Sequence, residues 1–370
     1  MTIVHIGPAV LPVTYNRGGA IQRRMLEVAK LQAGRGHKVI LYSASDETRR
    51  VDYHGVEIRS LACRRHRYVR DLEFLRKAVR DLLGQDVEVL HFHSLPEGAA
   101  FSPEIACKKL LSYDYFVFRR GNKTPLFWWY QEALRKFSYL LPVSNHCWQG
   151  SRNYWDLGGI PTQVLHNGVN LDQFCPCPAS GQAKKQALGI NAERVILYVG
   201  RVCEQKGTDI LIEAYLRIKQ AHASTRLVVV GPADMFGRSG ENELTRRISE
   251  CGGLYLGAVE EAGLAAIYNI ADVFVMPTRE TEMFGMAAVE AQACGKPVVA
   301  SRHGGLPEVI SEQSGLFFRT GDAGSLAEQL SFLLENAEFY RSLAAVAREN
   351  ATRFAWARIV DQLEDIYSQS

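Results

Sequence analysis

Short aliphatic runs alternate with stretches of helical spacing from one end of this chain to the other, and that alternation confines the fold to parallel α/β architecture. Ile3–Ile6 reads as a buried strand, followed by a turn-rich loop holding Arg17-Gly18-Gly19. A helical pattern covers Ile21–Gly34, and His37–Tyr42 returns as a strand. Val87–Phe92, Tyr115–Phe118 and Leu140–Ser144 supply more strands, the last after a helix around Tyr130–Phe137. A linker-like stretch, Phe174–Gly181 with Pro176 and Pro178, precedes a second set at Val195–Val199, Leu227–Val230, Leu254–Leu256, Val273–Met276 and Pro297–Ala300. A last helix, about Ala355–Tyr367, places Ile359, Leu363 and Ile366 on one face. With 370 residues the chain is long for one core and comfortable for two. The expected fold is α/β, with two Rossmann-like domains facing across a cleft, residues 1–165 and 166–352. Ligands of open parallel sheets bind beyond the carboxyl ends of the strands.

Charge excludes some partners. With 43 basic and 40 acidic side chains the formal charge is +3, so no global field favours nucleic acid or a membrane. The opening MTIVHIGPAV lacks a basic start and a long apolar core, and no run of roughly 18 apolar residues occurs, so neither a signal peptide nor a membrane span is expected. Eight cysteines are scattered, with only Cys175 and Cys177 close together, a poor metal signal; a reducing cytoplasm is the plain reading.

The stretch from Glu282 to Glu290 carries the most chemistry. It follows the strand ending near Met276, and a helix begins at Met286. Gly285 lets backbone approach a ligand, and the N–H groups of Met286 and Ala287 point out of a helix N-terminus, a ready site for phosphate oxygens. Ala287 and Glu290 share a helix face, so Glu290 can look toward the same ligand and suits vicinal ribose hydroxyls. Glu282, on the loop, can accept hydrogen bonds from sugar hydroxyls. Acids at a helix start are common in their own right, so the pair alone does not decide the matter. Two further features do. Gly200-Arg201…Lys206-Gly207 follows the strand Val195–Val199 and sets a guanidinium and an ammonium where a diphosphate leaving group gains charge. Gly18 and Gly19 offer a second backbone cradle in the first domain, without the GxGxxG dinucleotide pattern.

Together these stretches closely resemble the retaining glycosyltransferases of family 4, also called glycosyl transferases group 1. The resemblance rests on Asn167-Gly168-Val169-Asn170…Phe174, Gly200-Arg201…Lys206-Gly207 and Glu282…Glu290. Ala293-Cys-Gly295-Lys-Pro297 and Gly304-Gly305-Leu-Pro307-Glu308 extend it. The N-terminal Leu11-Pro12…Arg17-Gly18-Gly19-Ala20-Ile21-Gln22 is similar to spore-coat and envelope-type members. The resemblance implies the GT-B arrangement, with the C-terminal helix, about 353–370, crossing back to the first domain. It implies Glu282 on the transferred sugar, Glu290 on the ribose, Arg201 and Lys206 on the diphosphate, and the backbone of Met283, Phe284, Gly285, Met286 and Ala287 on sugar and phosphate. Gly19 would approach the phosphates on closure, and the base would lie near Gly257–Val259, hence Val259.

One departure stands out. Many members carry a histidine facing the sugar where this chain reads Phe118-Arg119-Arg120-Gly121-Asn122. His93, in Leu-His91-Phe-His93-Ser, is a weak substitute, and a core histidine is its plainer reading. Arg119 or Arg120 could instead replace that histidine or anchor an anionic group on the acceptor, since arginine presents a planar fork to carboxylate or phosphate. The basic run Arg64-Arg65-His66-Arg67…Arg70 could extend such a surface toward anionic lipid, so at most peripheral membrane contact is expected. No Asp-x-Asp occurs, and neither a metal nor another cofactor is expected. The implied partners are a nucleotide-diphosphate sugar, with UDP favoured, and a hydroxyl-bearing acceptor that can be anionic. A sugar-nucleotide epimerase or hydrolase, a phosphorylase and an inactive nucleotide-sugar-binding protein are the competing readings.

Overall fold

The computed structural model describes residues 1–9, 13, 19–63, 70–114, 125–233 and 242–369. The expected strand Tyr115–Phe118 and the candidates Gly18, Arg119 and Arg120 lie outside them, as do Arg64–Arg67. The chain divides into two compact units, Met1–Gly168 with Trp356–Ser370, and Val169–Ala355.

The first unit is built on a seven-stranded sheet. Its strands are β1 (Thr2–Ile6), β2 (Lys38–Ser45), β3 (Arg49–Tyr53), β4 (Val56–Ala62), β5 (Val89–His93), β6 (Lys108–Tyr113) and β7 (Tyr139–Pro142), in the order β3-β4-β2-β1-β5-β6-β7. Only β3 runs antiparallel, turned onto β4 through His54-Gly55. β3 is an exposed edge strand, so its charged side chains blunt an edge that would otherwise invite pairing. The helix Ala20–Gly34 covers this sheet with Met25, Leu26 and Ala29 buried against Val39, Leu41, Val56 and Ile58. The C-terminal helix Trp356–Ser368 belongs to this unit: Arg35 bonds Asp361 at 2.6 Å and Glu364 at 2.8 Å, and the Trp356 ring fills the space a Cβ on Gly168 would need, 2.3 Å away.

The second unit has six strands, β8 (Arg194–Val199), β9 (Thr225–Val230), β10 (Leu254–Tyr255), β11 (Val273–Met276), β12 (Val298–Ser301) and β13 (Gly315–Phe318). They pair in parallel in the order β10-β9-β8-β11-β12-β13. The side chains of β8, β9, β11 and β12 are mostly buried because helices cover both faces, which is why these strands read as continuous aliphatic runs. Strand order reverses between β8 and β11 here, and between β1 and β5 in the first unit. Those two points are where ligands of such sheets bind.

The Phe174–Gly181 stretch is not a free linker. Phe174 is buried, the helix Pro178–Ala187 starts inside the stretch with proline in its first turn, and a Cβ on Gly181 would lie 2.4 Å from the Asn269 carbonyl oxygen. Proline ends a strand run but suits the first helical position, where its missing N–H would have had no partner. Among the described residues no helix is long and apolar enough to cross a membrane, and all eight cysteines are free.

Candidate functional site

The loops after β8 and β11 meet at the reversal point of the second sheet and are tied to one another. Behind β8 the loop is pinned by the Tyr198 hydroxyl, which donates to the Arg201 carbonyl at 2.6 Å, and by Val202 N–H donating to Pro232 O at 2.9 Å. A short turn, Glu204–Lys206, ends at Gly207, whose φ of 71° is the left-handed conformation. A Cβ there would sit 1.9 Å from the Pro277 carbonyl oxygen, so only glycine lets the two loops touch. The Gln205 carbonyl then accepts from three donors of the second loop: the Arg279 and Glu280 amides at 3.0 and 3.1 Å, and the Thr278 hydroxyl at 3.3 Å. Arg279 also pairs with Asp209, in the first turn of the helix Thr208–Ala221, at 2.5 Å.

This join delivers two sequence-expected residues to one place. Lys206 Nζ lies 2.6 Å from Glu282 Oε2, with both side chains partly open to solvent. Glu282 is held from behind by Gly305 N–H, which donates to its carbonyl at 2.7 Å. Three residues on, Gly285 takes φ 99° and starts the helix Met286–Ala293. No side chain caps that helix, so the first-turn N–H groups of Met286 and Ala287 are left to a ligand. A Cβ on Gly285 would press on Leu306, 2.6 Å away. An ammonium, a carboxylate and a helix N-terminus are thus supplied by the loops that follow the adjacent strands β8 and β11. Arg201 is exposed on the same loop as Lys206.

The remaining expectations sort by burial. Glu290 is not a solvated acid: it is 4% exposed, and the Tyr268 hydroxyl donates to its Oε2 at 2.6 Å. Phe284 is buried edge-on against Phe354, leaving only its backbone to face a ligand. Met283 and Val259 are half-buried. The Gly257–Val259 loop is joined to the β9 loop by Gly231 N–H donating to Gly257 O at 2.7 Å. In the first unit Gly19 is the residue before the helix Ala20–Gly34, in extended conformation.

His93 is a core residue, 1% exposed. It shares a hydrogen bond of 3.0 Å with His5 and stacks on His91 at 4.3 Å. His91 in turn bonds the Tyr367 hydroxyl and the Ser112 hydroxyl, and His5 bonds Gln32. Burial, followed by neighbouring positive charge, lowers all three: His5 falls from its ordinary 6.5 to about 4, and His91 and His93 lie well below 6.5. Ring nitrogens of the three approach within 4.8 Å, metal-ligand spacing. Only His93 Nδ1 lacks a partner, however, and the buried Arg24 guanidinium bonds the same Ser112 hydroxyl at 2.9 Å. That donor set is already spent on hydrogen bonds and sits beside a positive charge, which disfavours a cation.

Sequence reading missed the tie formed by Gln205, Asp209 and Arg279, and it missed Tyr268 behind Glu290. It also missed Glu97, a buried carboxyl just beyond β5 that desolvation pushes up to about 7. Only Asp209 carried a local signal, an acid in the first turn after Lys206-Gly207.

The glycosyl transferases group 1 family model matches residues 181–351, and the Glycosyltransferase Family 4 model matches residues 18–173. A phosphatidyl-myo-inositol mannosyltransferase of Mycobacterium leprae is 27% identical over 97% of this chain and 95% of its own. A D-inositol 3-phosphate glycosyltransferase of Saccharomonospora viridis is 35% identical, but over 58% of this chain and 52% of its own length. Among solved structures, Anabaena HepE in complex with UDP-glucose superposes with a TM-score of 0.80 at 19% identity, covering 100% of this chain and 99% of the other.

Proposed function

Because this chain belongs to the glycosyl transferases group 1 of family 4, we propose that it moves a hexose from UDP to an acceptor hydroxyl with retention at the anomeric carbon and without a metal. The observation that carries this reading is the Lys206–Glu282 pair beside the uncapped helix at Gly285. A diphosphate fits the helix N-terminus and the ammonium, and the sugar beyond it falls to Glu282. UDP is favoured by the likeness to a protein solved with UDP-glucose. The relatives named for inositol compounds favour a polyol or sugar hydroxyl as acceptor, which can carry a phosphate. In the reaction the bond from the anomeric carbon to the diphosphate oxygen breaks, and the acceptor oxygen bonds that carbon from the same face. The acceptor's proton passes to the departing phosphate. Arg201, Lys206 and the Met286 and Ala287 amides stabilise the growing negative charge. Free cysteines suit a reducing cytoplasm.

A panel of UDP-, GDP- and ADP-sugars tested by thermal shift identifies the donor. Product formed from donor alone would turn the reading toward a hydrolase or epimerase. Proton NMR of the product should show the donor's anomeric configuration, and turnover should persist in excess EDTA. An inverted product removes the proposed mechanism, and full loss in EDTA removes metal independence.

The two glutamates should divide their labour. Glu282→Ala is expected to abolish transfer while leaving UDP affinity nearly intact. Glu290→Ala should weaken UDP binding by about 1.5–3 kcal/mol, the range for a hydrogen bond to a charged group. Titration calorimetry reads both, and equal UDP affinity in wild type and Glu290→Ala would take the ribose away from Glu290.

A further inference from the structure

The second unit has a hollow at the end of its sheet away from the donor loops. A cavity of about 240 Å³ opens where β8 and β11 begin. The Lys206 and Glu282 loops follow the other ends of the same strands, roughly 13–20 Å away along the backbone. One side of the hollow is apolar. Leu333 is buried near the end of the helix Ala323–Glu335, Ala337 opens the helix Ala337–Thr352, and the half-buried Tyr340 packs on the core. The Tyr340 hydroxyl makes no hydrogen bond among the described residues. Burial, with Asp272 adding to it, pushes that hydroxyl up to about 12, so it stays an O–H that can donate.

The other side is charged, and its charges do not balance. Asp272 ties the two strands together: its N–H donates to the Val195 carbonyl at 2.9 Å, and its Oδ2 accepts from Val195 N–H at 2.8 Å. Two cations already share its carboxylate, Arg194 Nη1 at 3.4 Å and Lys185 Nζ at 3.7 Å. Arg341 lines the same hollow, and its Nε donates to the Ala337 carbonyl at 3.1 Å. Among the described residues its guanidinium makes no ion pair. Three cations gather about one carboxylate, in a unit whose 18 basic and 22 acidic side chains give a formal −4.

We propose that this hollow binds a small organic carboxylate, its acid on the Arg341 fork and its apolar body against Leu333, Ala337 and Tyr340. Arginine meets a carboxylate with two parallel N–H bonds, a match of shape as well as charge. The Tyr340 O–H supplies a further donor. Size sets the class of ligand: a cavity of about 150 Å³ takes benzene, so the larger volume here admits one ring with a short acidic arm. Apolar walls with a few convergent polar groups are the usual make-up of a small-molecule site. Nothing in this inference depends on what the donor loops hold.

Fluorine NMR of 4-fluorophenylacetate titrated with the full chain tests this. The signal should shift and broaden, saturating in about the millimolar range for a ligand of this size. 4-Fluorophenylacetamide keeps the ring and loses the charge, and should bind about tenfold more weakly. Arg341→Ala, at an exposed position, should weaken binding of the acid about tenfold at an unchanged melting temperature. Ala337→Phe should fill the hollow and abolish binding with Arg341 still in place. Excess UDP should leave the acid bound. No saturable binding up to about 20 mM overturns the proposal. Equal binding of acid and amide, or wild-type binding in both folded variants, also overturns it. Displacement by UDP would put the acid in the donor site and overturns it as well.

Discussion

Lys206→Ala should lower kcat by about a hundredfold or more with much less change in donor KM. Lys206 is paired with Glu282 at 2.6 Å, so ground-state binding of a diphosphate must compete for an ammonium that already has a partner. That competition fades as the glycosidic bond breaks, because leaving-group charge grows and the ammonium's attraction for it grows in step. The residue's contribution is therefore concentrated in the transition state, where it raises kcat. Arg201→Ala, on the exposed side of the same loop, should act in the same direction. Steady-state kinetics with a fixed acceptor separates the cases. Unchanged kcat with a raised KM in Lys206→Ala would mean that the lysine only binds. The Lys206→Ala/Glu282→Ala double variant should be strongly non-additive, since each residue positions the other.

Acid should weaken the first unit before most of its carboxylates protonate. His5, His91 and His93 are buried neutral and all titrate below their ordinary 6.5 when folded. Above pH 6.5 they are neutral in both states and contribute no slope. Below it the unfolded chain binds protons that the folded chain refuses, so stability falls as pH drops from 6.5 toward the folded values. For His5, with a folded value of about 4, the loss at pH 4 is about 3 kcal/mol, and the other two add to it. Glu97 works against them: its carboxyl is raised to about 7 in the folded unit, so it binds a proton there before the unfolded chain does and offsets part of the loss as pH falls. Urea unfolding at stepped pH should give a steep decline between about pH 6.5 and 4, shallower in His93→Leu, which removes one titrating ring. A flat profile across that window would mean that the rings are hydrated or charged in the folded protein.

The histidine triad also marks what a linear sequence does not display. His91 and His93 are visible together on one strand, but their third member is His5, placed opposite His91 by the parallel register of β1 on β5. The same limit hides the Arg279–Asp209 pair and the three bonds to the Gln205 carbonyl, which exist only once β8 and β11 lie side by side. The positions of Lys206, Glu282 and Gly285 were legible because each sits at its own strand end or helix start. Five of the six strands of the second sheet were legible as short aliphatic runs, whereas β13, Gly-Leu-Phe-Phe, was not. β3, Arg-Arg-Val-Asp-Tyr, was not, since an exposed edge strand keeps its charges. β6 opens with two lysines, and only its later residues are buried, so its pattern falls below that of its neighbours.

The three bonds onto the Gln205 carbonyl bear on how this site answers a ligand in time. Amides that donate to a fixed acceptor exchange their hydrogen for deuterium slowly, and Arg279 and Glu280, both bonded to the Gln205 carbonyl, should do so. The lysine-bearing and glutamate-bearing loops therefore open as a single cooperative segment. Nucleotide binding then has little ordering left to supply in this part of the fold, and its footprint in exchange should be narrow, confined to the Met286 and Ala287 amides that start without a partner. A chain whose charges are already in place loses little conformational freedom on binding, so its affinity for the diphosphate should vary less with temperature than that of a site assembled by the ligand itself.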